Sequence, residues 1–347
     1  MVVKDEDIRG RLKEIDEHIR KECIESHPKE ERDRRTYEQR FARRIKEAMK
    51  AVDPMVHEAV STIRTEPKTG RPDSLTLEQK VKLLLINQLV GESNRMYANM
   101  LDVFSMVSGI DVSYKTMARL YSDEEVAMAL HNLHALLLKE RGVERSDASG
   151  DGTGYSLTIT KHYESVAQEL KEKAKEQQQP GGATQSPTNP TGDGPTMRAF
   201  ACVFRLMDLS TKMYVAFGSS LKFEKEAFDR AMKLLSRIDV TLDGARLDRY
   251  YSTPGRVDSL GDAKVYVIPR SNATVKGSWK WKETMKEFVT DTIRYLEEYY
   301  RRESSESGFA ADKKMLGWSI AQRREDRIDC AQFCTGLWHN LFNLSPQ

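Results

Sequence analysis

The chain has 347 residues, 31% of them charged and 39% hydrophobic, with 55 Lys and Arg against 53 Asp and Glu for a net charge of +2. That length supports one large core or two smaller ones, and the charge balance excludes a uniformly basic coat for nucleic acid, so any basic surface must be local. The longest apolar runs, such as VKLLLINQLV, are too short to span a bilayer, and the N-terminal MVVKDEDIRGRLKEID lacks a signal-peptide core, which predicts a cytoplasmic protein with no membrane partner.

Residues 1 to about 50 alternate in charge and place Ile8, Leu12, Ile15 and Ile19 at helical spacing. They read as a charged helical arm, one or two solvated helices that pack or dimerise. Residues 51–142 read as a helical unit. In it LTLEQKVKLLLINQLVG is a helix capped by Ser74 or Thr76 and closed by Gly91. Ser93 opens another helix, GIDV turns the chain, and SYKTMARLYS gives a short third one. This pattern suits a helix-turn-helix whose last helix offers Tyr114, Lys115 and Arg119 to a DNA groove, although a plain helical bundle would look the same. A capping box, Ser122-x-x-Glu125, starts the next helix, which ends at Gly142.

From residue 143 the periodicity turns toward strands. DASGDGTGYSLTITK is a β-rich stretch, and MRAFACVFRLMDLSTKMYVAFGSS reads as two strands joined by a turn at Asp208 to Lys212. Between them, at about residues 171–196, a Gln-, Pro-, Gly- and Thr-rich segment has no apolar periodicity and reads as a disordered insertion. The helix KEAFDRAMKLLSRI follows, then a short strand ending ARLDRYYS, the strand AKVYVIPR, and further helices. Strands followed by alternating helix and strand indicate a mixed α/β domain with a central sheet, its site at the polar strand ends. Cys23, Cys202, Cys330 and Cys334 lack CxxC spacing and read as free thiols rather than a zinc site.

Three carboxylates stand out. Asp151 opens the first predicted strand, Asp248 lies near the end of a later one, and Glu306 sits on a late helix. Brought together, they would repel one another unless divalent cations neutralised them, and carboxylate oxygens are the ligands Mg²⁺ and Mn²⁺ prefer. Two such ions about 4 Å apart can activate a water or a 3′-hydroxyl and stabilise the leaving oxygen of a phosphoryl displacement. Asp147 and Asp243 are alternatives to Asp151 and Asp248, but Asp147 precedes a DGTG turn and the DG at Asp243 is itself a turn signal. The GxGxG of Gly150, Gly152 and Gly154 lacks the lysine and Ser/Thr of a phosphate loop and reads as a permissive turn. His131 and His134 share a helix face with no second ligand pair, so they read as packed or solvated. No local signature pairs a Ser or Cys nucleophile with a His. On a straight helix Tyr299, Arg302, Glu306 and Lys313 fall within an arc of roughly 60° and form one polar stripe. A solvated face would give the same spacing, and Ser304, Ser305, Ser307 and Gly308 are poor helix formers that invite a bend.

The spacing Tyr299-x2-Arg302-x3-Glu306-x6-Lys313 resembles the Y-x2-R-x3-E-x6-K signature of bacterial and archaeal DDE insertion-sequence transposases. DGTG resembles their first aspartate motif and LDRYYS their second. IDCAQFCTGLWHNLFNL looks like the apolar helix that closes such domains, and GRPDSLTLEQKVKLLLINQLVGES like their N-terminal helical region, so the likeness covers roughly residues 70–345. It implies an RNase H-like catalytic domain over residues 143–347, a mixed sheet with flanking helices behind an all-α N-terminal region. By the same resemblance, Asp151, Asp248 and Glu306 would bind a pair of Mg²⁺ or Mn²⁺ ions. Tyr299, Arg302 and Lys313 would hold the phosphates of a transposon end. The implied activity cuts DNA at those ends and joins the freed 3′-hydroxyls to target DNA, as a homodimer at the nucleoid. Many relatives carry a large β-rich insertion between the second aspartate and the glutamate. Here that interval holds little beyond one strand and SNATVKGSWKWKE, which leaves open whether a hairpin intermediate forms and whether Trp279, Trp281 or Trp318 holds a flipped base or simply packs. A catalytically silent DNA-binding descendant and a nuclease that only hydrolyses are the alternative readings.

Overall fold

The computed structural model describes residues 3–25, 34–64, 74–91, 93–108, 111–158 and 200–344. Helices come first: α1 (Asp5–Glu25), α2 (Arg34–Ser61), α3 (Leu77–Val90), α4 (Asn94–Ser108), α5 (Tyr114–Leu120) and α6 (Glu124–Glu140). Their ends follow local chemistry. Thr76 and Gln79 form a reciprocal capping box at the start of α3, and Gly91 ends it at φ 70°, a left-handed conformation that glycine adopts without a Cβ clash. The start of α6 corrects the Ser122 reading. Asp123 is the cap, its carboxylate accepting the amides of Glu125 and Val126 while its charge faces the positive helix end.

The strands are β1 (Arg145–Leu157), β2 (Phe200–Asp208), β3 (Tyr214–Ser220), β4 (Thr241–Leu247), β5 (Lys264–Tyr266) and β6 (Ser319–Ile320). They form one six-stranded sheet in the order β3-β2-β1-β4-β5, with β6 also on β1. The β1–β2 and β2–β3 pairs are antiparallel, whereas β4 and β6 run parallel to β1 and β5 runs parallel to β4. Between and after them lie α7 (Glu224–Leu235), α8 (Pro254–Asp258), α9 (Trp279–Thr290), α10 (Thr292–Tyr300), α11 (Glu303–Leu316) and α12 (Glu325–Phe342). Neighbouring β3 residues point to opposite faces. A Cβ on Gly218 would strike α7, and Phe217 packs on Gly336 of α12, so helices cover both sides. The result is the expected mixed α/β class with a helical N-terminal region, consistent with an RNase H-like fold.

The main apolar core joins the helices to the sheet, from Ile8, Leu12 and Ile15 of α1 to Phe342 of α12, and Met207, Tyr214, Phe217 and Leu234 form a smaller second cluster. Polar bonds cross the same boundary. Trp338 Nε1 donates to Leu85 O at 2.8 Å, and His134 Nε2 lies 3.1 Å from Val215 O. Burial lowers the His134 pKa to about 4, so this ring is a neutral packed histidine, and His131 stands edge-on to Phe333. The side chains of Ile19 and Cys23 and the insertion expected at 171–196 lie outside what the structure describes, while Cys202, Cys330 and Cys334 are free. Among the described residues no helix is long and apolar enough to cross a membrane.

Two glycine readings change. Gly150, Gly152 and Gly154 lie inside β1 and make no turn. A Cβ on Gly150 would come within 2.7 Å of Leu247 and Phe204, and one on Gly152 would overlap Glu224, so close packing excludes a side chain there. The DG at Asp243 is likewise no turn but a bulge in β4, since Ser146 pairs with Leu242 and Asp147 already with Gly244.

Candidate active site

β1 alternates small residues (Ala148, Gly150, Gly152, Gly154) with polar or aromatic ones (Asp147, Ser149, Asp151, Thr153, Tyr155), and the second set faces α11 and the turn that precedes it. On its β4 side, β1 pairs through Gly150↔Leu247 and then not again until Ser156↔Ser319 of β6. Asp151 and Asp248 are the next residues of the two parallel strands beyond Gly150 and Leu247. Register alone therefore sets the two aspartates side by side at an uncovered stretch of strand edge.

Each aspartate fixes one oxygen on backbone and leaves the other facing the same guanidinium. Asp151 Oδ1 accepts from Gly152 N at 2.8 Å, and Asp248 Oδ2 caps a single 3₁₀ turn by accepting from Tyr250 N at 3.2 Å. The remaining oxygens lie 3.2 Å and 3.9 Å from Arg302 Nη1, and Glu306 Oε1 lies 3.0 Å from Arg302 Nη2. All three predicted carboxylates thus meet at one cation. Burial pushes the Asp151 carboxyl up to about 6; Arg302 and the Gly152 amide oppose the rise, and the charges of Asp248 and Glu306 add to it. The Glu306 side chain is 56% exposed and the Asp151 side chain 18%, so the site opens on the glutamate side.

The single straight stripe is not what forms. α10 ends at Tyr300, the chain turns through Arg301 and Arg302, and α11 restarts at Glu303. The turn is pinned from below: the hydroxyls of Ser149 and Ser305 both lie within 3.0 Å of Arg302 O. Beside it, Arg246 binds Asp147 and Glu298, and Arg301 reaches the same two carboxylates at 3.1 Å and 2.9 Å. That network occupies Asp147, just as Arg145 occupies Asp243. Sequence spacing still brings Arg302 and Glu306 together, because Arg302 is the N-cap of α11 and lies one helical turn before Glu306. Tyr299 lies buried beneath, its ring 5.7 Å from the Arg302 guanidinium carbon, and burial pushes its hydroxyl up to about 12. Lys313, two helical turns beyond Glu306, donates to Thr153 Oγ1 at 2.7 Å and sits 5.1 Å from the exposed Trp318 ring; burial, then Arg205, lowers its pKa. Trp281 is in the core, and Trp279 is exposed.

A buried polar cluster that sequence reasoning missed holds α11 down. Asp312 pairs with Arg205 of β2, accepts from Tyr214 Oη at 2.8 Å, and lies 2.6 Å from His339 Nδ1 of α12. Burial alone would raise the Asp312 pKa, but His339 and Arg205 overcome it and hold the carboxyl below the usual range. Gly308 lets α11 approach so closely, since a Cβ there would stand 2.9 Å from Tyr214 Oη. An isolated RLMD strand gives no hint that its arginine finds a carboxylate 107 residues later. The alternation in SDASGDGTGY was the legible signal for Ser149 and Thr153.

Oxygen donors of the kind that bind hard divalent cations are therefore present and convergent, which fits such an ion. As they stand, though, no three His, Cys, Asp or Glu side chains among the described residues are close enough to share one. The Arg302 side chain occupies the space between them. Away from this site, Tyr114, Lys115 and Arg119 project from α5 into solvent while Met117 and Leu120 are buried.

Against known proteins, the chain is 43% identical over 333 residues to the probable transposase for insertion sequence element ISA1214 of Archaeoglobus fulgidus, covering 95% of this chain and 92% of that protein. No family model matches the chain, and no solved structure does.

Proposed function

We propose a metal-dependent DNA cleavage and strand-transfer activity for this chain, which belongs to the insertion-sequence transposases. The observation that carries the reading is the convergence of Asp151, Asp248 and Glu306, from three separate elements, on one position at an open strand edge. Three carboxylates directed at one point, from a largely covered Asp151 to an exposed Glu306, repel one another, and a divalent cation is the ligand that such a set favours. Mg²⁺ or Mn²⁺, as a pair, would supply activation of a water or 3′-hydroxyl and stabilisation of the leaving oxygen. The protein's part is to hold the two aspartates by strand register and the glutamate by the anchored helix α11. Arg302 and Lys313 would take phosphates of the transposon end, the first with two nitrogens and the second as a point charge, with Tyr299 bracing the guanidinium from below. Bringing two ends together calls for a homodimer on DNA. The exposed Tyr114, Lys115 and Arg119 suit contact with the terminal repeats.

The test is cleavage of duplex DNA carrying the element's own ends, with and without Mg²⁺ or Mn²⁺. Wild type should nick at the ends only with the cation, and Asp151→Asn, Asp248→Asn and Glu306→Gln should each lose cleavage while still binding DNA. Cleavage surviving in all three variants would remove these residues from the chemistry.

A further inference from the structure

Resting on that reading of the carboxylates, we infer that Arg302 is the site's internal counter-ion, and that divalent cation and DNA phosphate displace it together. Among the described residues, every ion pair made by Asp151, Asp248 and Glu306 goes to Arg302. Its Nη1 faces both aspartates and its Nη2 faces the glutamate, which is how a shared cation would be held. The other basic groups nearby are committed elsewhere: Arg301 and Arg246 to Asp147 and Glu298, and Lys313 to Thr153. A guanidinium keeps its charge at any physiological pH, so it cannot yield by losing a proton. It must move. A divalent ion arriving among these oxygens meets a fixed positive charge 3.0, 3.2 and 3.9 Å from its three ligands, and the repulsion is lifted only when the arginine leaves.

The site provides a way for it to leave. Arg302 sits in the turn between α10 and α11, where Ser149 and Ser305 hold its backbone and the opposite side of the site is open at Glu306. Swinging outward on its own side chain breaks no helix bond. A phosphate diester is the one anion in the proposed reaction that a guanidinium grips as well as it grips a carboxylate. Once DNA supplies that phosphate, the carboxylates are released to the metal, so each ligand favours the other by the same factor. Without DNA the protein keeps its own cation and binds metal poorly, which would restrain unguided cleavage.

Calorimetric titration of the intact chain with Mn²⁺ tests this without relying on activity. Wild type alone should bind weakly, Arg302→Gln alone about 10-fold more tightly, and saturating end DNA should close most of that gap by tightening wild type. Arg301→Gln, which removes a neighbouring charge that touches none of the three carboxylates, should stay within about twofold of wild type. Thermal melts confirm that each variant is folded, and Arg302→Met, which also removes the charge while keeping much of the side-chain length, replaces the glutamine variant if it is not. Equal Mn²⁺ affinity in wild type and Arg302→Gln without DNA would overturn the counter-ion role while leaving the metal site standing. No Mn²⁺ binding by either protein, with or without DNA, would overturn both.

Discussion

Asp312→Asn should be among the most damaging single substitutions away from the carboxylate triad. The carboxylate is 2% exposed and serves Arg205, itself 1% exposed, as well as Tyr214 and His339. Removing its charge leaves a buried guanidinium uncompensated, a class of change that costs about 3–5 kcal/mol. For a chain of this size that corresponds to a drop in Tm of roughly 5–10 °C. Arg205→Met should cost less, because Asp312 keeps the Tyr214 hydroxyl and the His339 ring as donors. The double variant should cost less than the sum of the two, a coupling of about 1–3 kcal/mol. Urea unfolding of the four proteins gives all three quantities, provided the slopes agree. An Asp312→Asn penalty below about 1 kcal/mol, or additivity within about 0.5 kcal/mol, would refute the argument that these two buried charges compensate each other. Since α11 carries Glu306 and Lys313, the folded fraction of Asp312→Asn should also lose end-DNA cleavage more than its stability alone explains.

The Asp151 carboxyl, raised to about 6, favours the protonated folded state, so its contribution to stability is fully present below about pH 4 and is lost as pH rises through 6. In the absence of divalent cation, Asp151→Asn should therefore gain on wild type by about 1–2 kcal/mol between pH 4 and pH 7, a figure reduced from the full shift because the group is partly solvated; a flat difference across that window would contradict the burial argument. Gly150→Ala, whose Cβ would press on Leu247, Phe204 and Leu206, should destabilise by about 1–3 kcal/mol, whereas Gly154→Ala, with no atom nearer than 3.6 Å, should change little, and equal melting shifts would mean that packing does not explain these glycines.

Local chemistry was legible in most places where one element held both partners, the Ser122 box being the exception, with Asp123 capping that helix instead. The cap expected at Ser74 or Thr76, which falls on Thr76, the Gly91 stop and the Asp208–Lys212 hairpin turn all appear where sequence places them, the last with Lys212 at φ 62° and Asp208 taking the amides of Ser210 and Thr211. Asp248 and Glu306 could be singled out as candidates because a carboxylate at a strand end and a spaced signature are local patterns. What sequence could not show is which charges are buried and with whom. Arg205 and Arg246 carry no sign of burial in the sequence, yet both are almost fully enclosed, and their partners lie far away along the chain, on helices at Asp312 and Glu298 and on β1 at Asp147. The β1 glycines misread as a turn for a related reason: glycine marks either a special φ or a close approach, and only the packing of Leu247, Phe204 and Glu224 tells which. The break at Arg301 and Arg302 depends on Ser149 and Asp147, more than 150 residues upstream, and helix propensity alone leaves it undecided.

Strand transfer tests the account most directly. Pre-cleaved end DNA with a free 3′-hydroxyl is incubated with a target duplex, Mg²⁺ or Mn²⁺, and either wild type or Glu306→Gln. The account predicts covalently joined products from wild type alone, with both proteins binding the ends. Hydrolysis without joining would mark a nuclease, and binding without any cation-dependent product would mark a silent DNA-binding descendant; either result would contradict it.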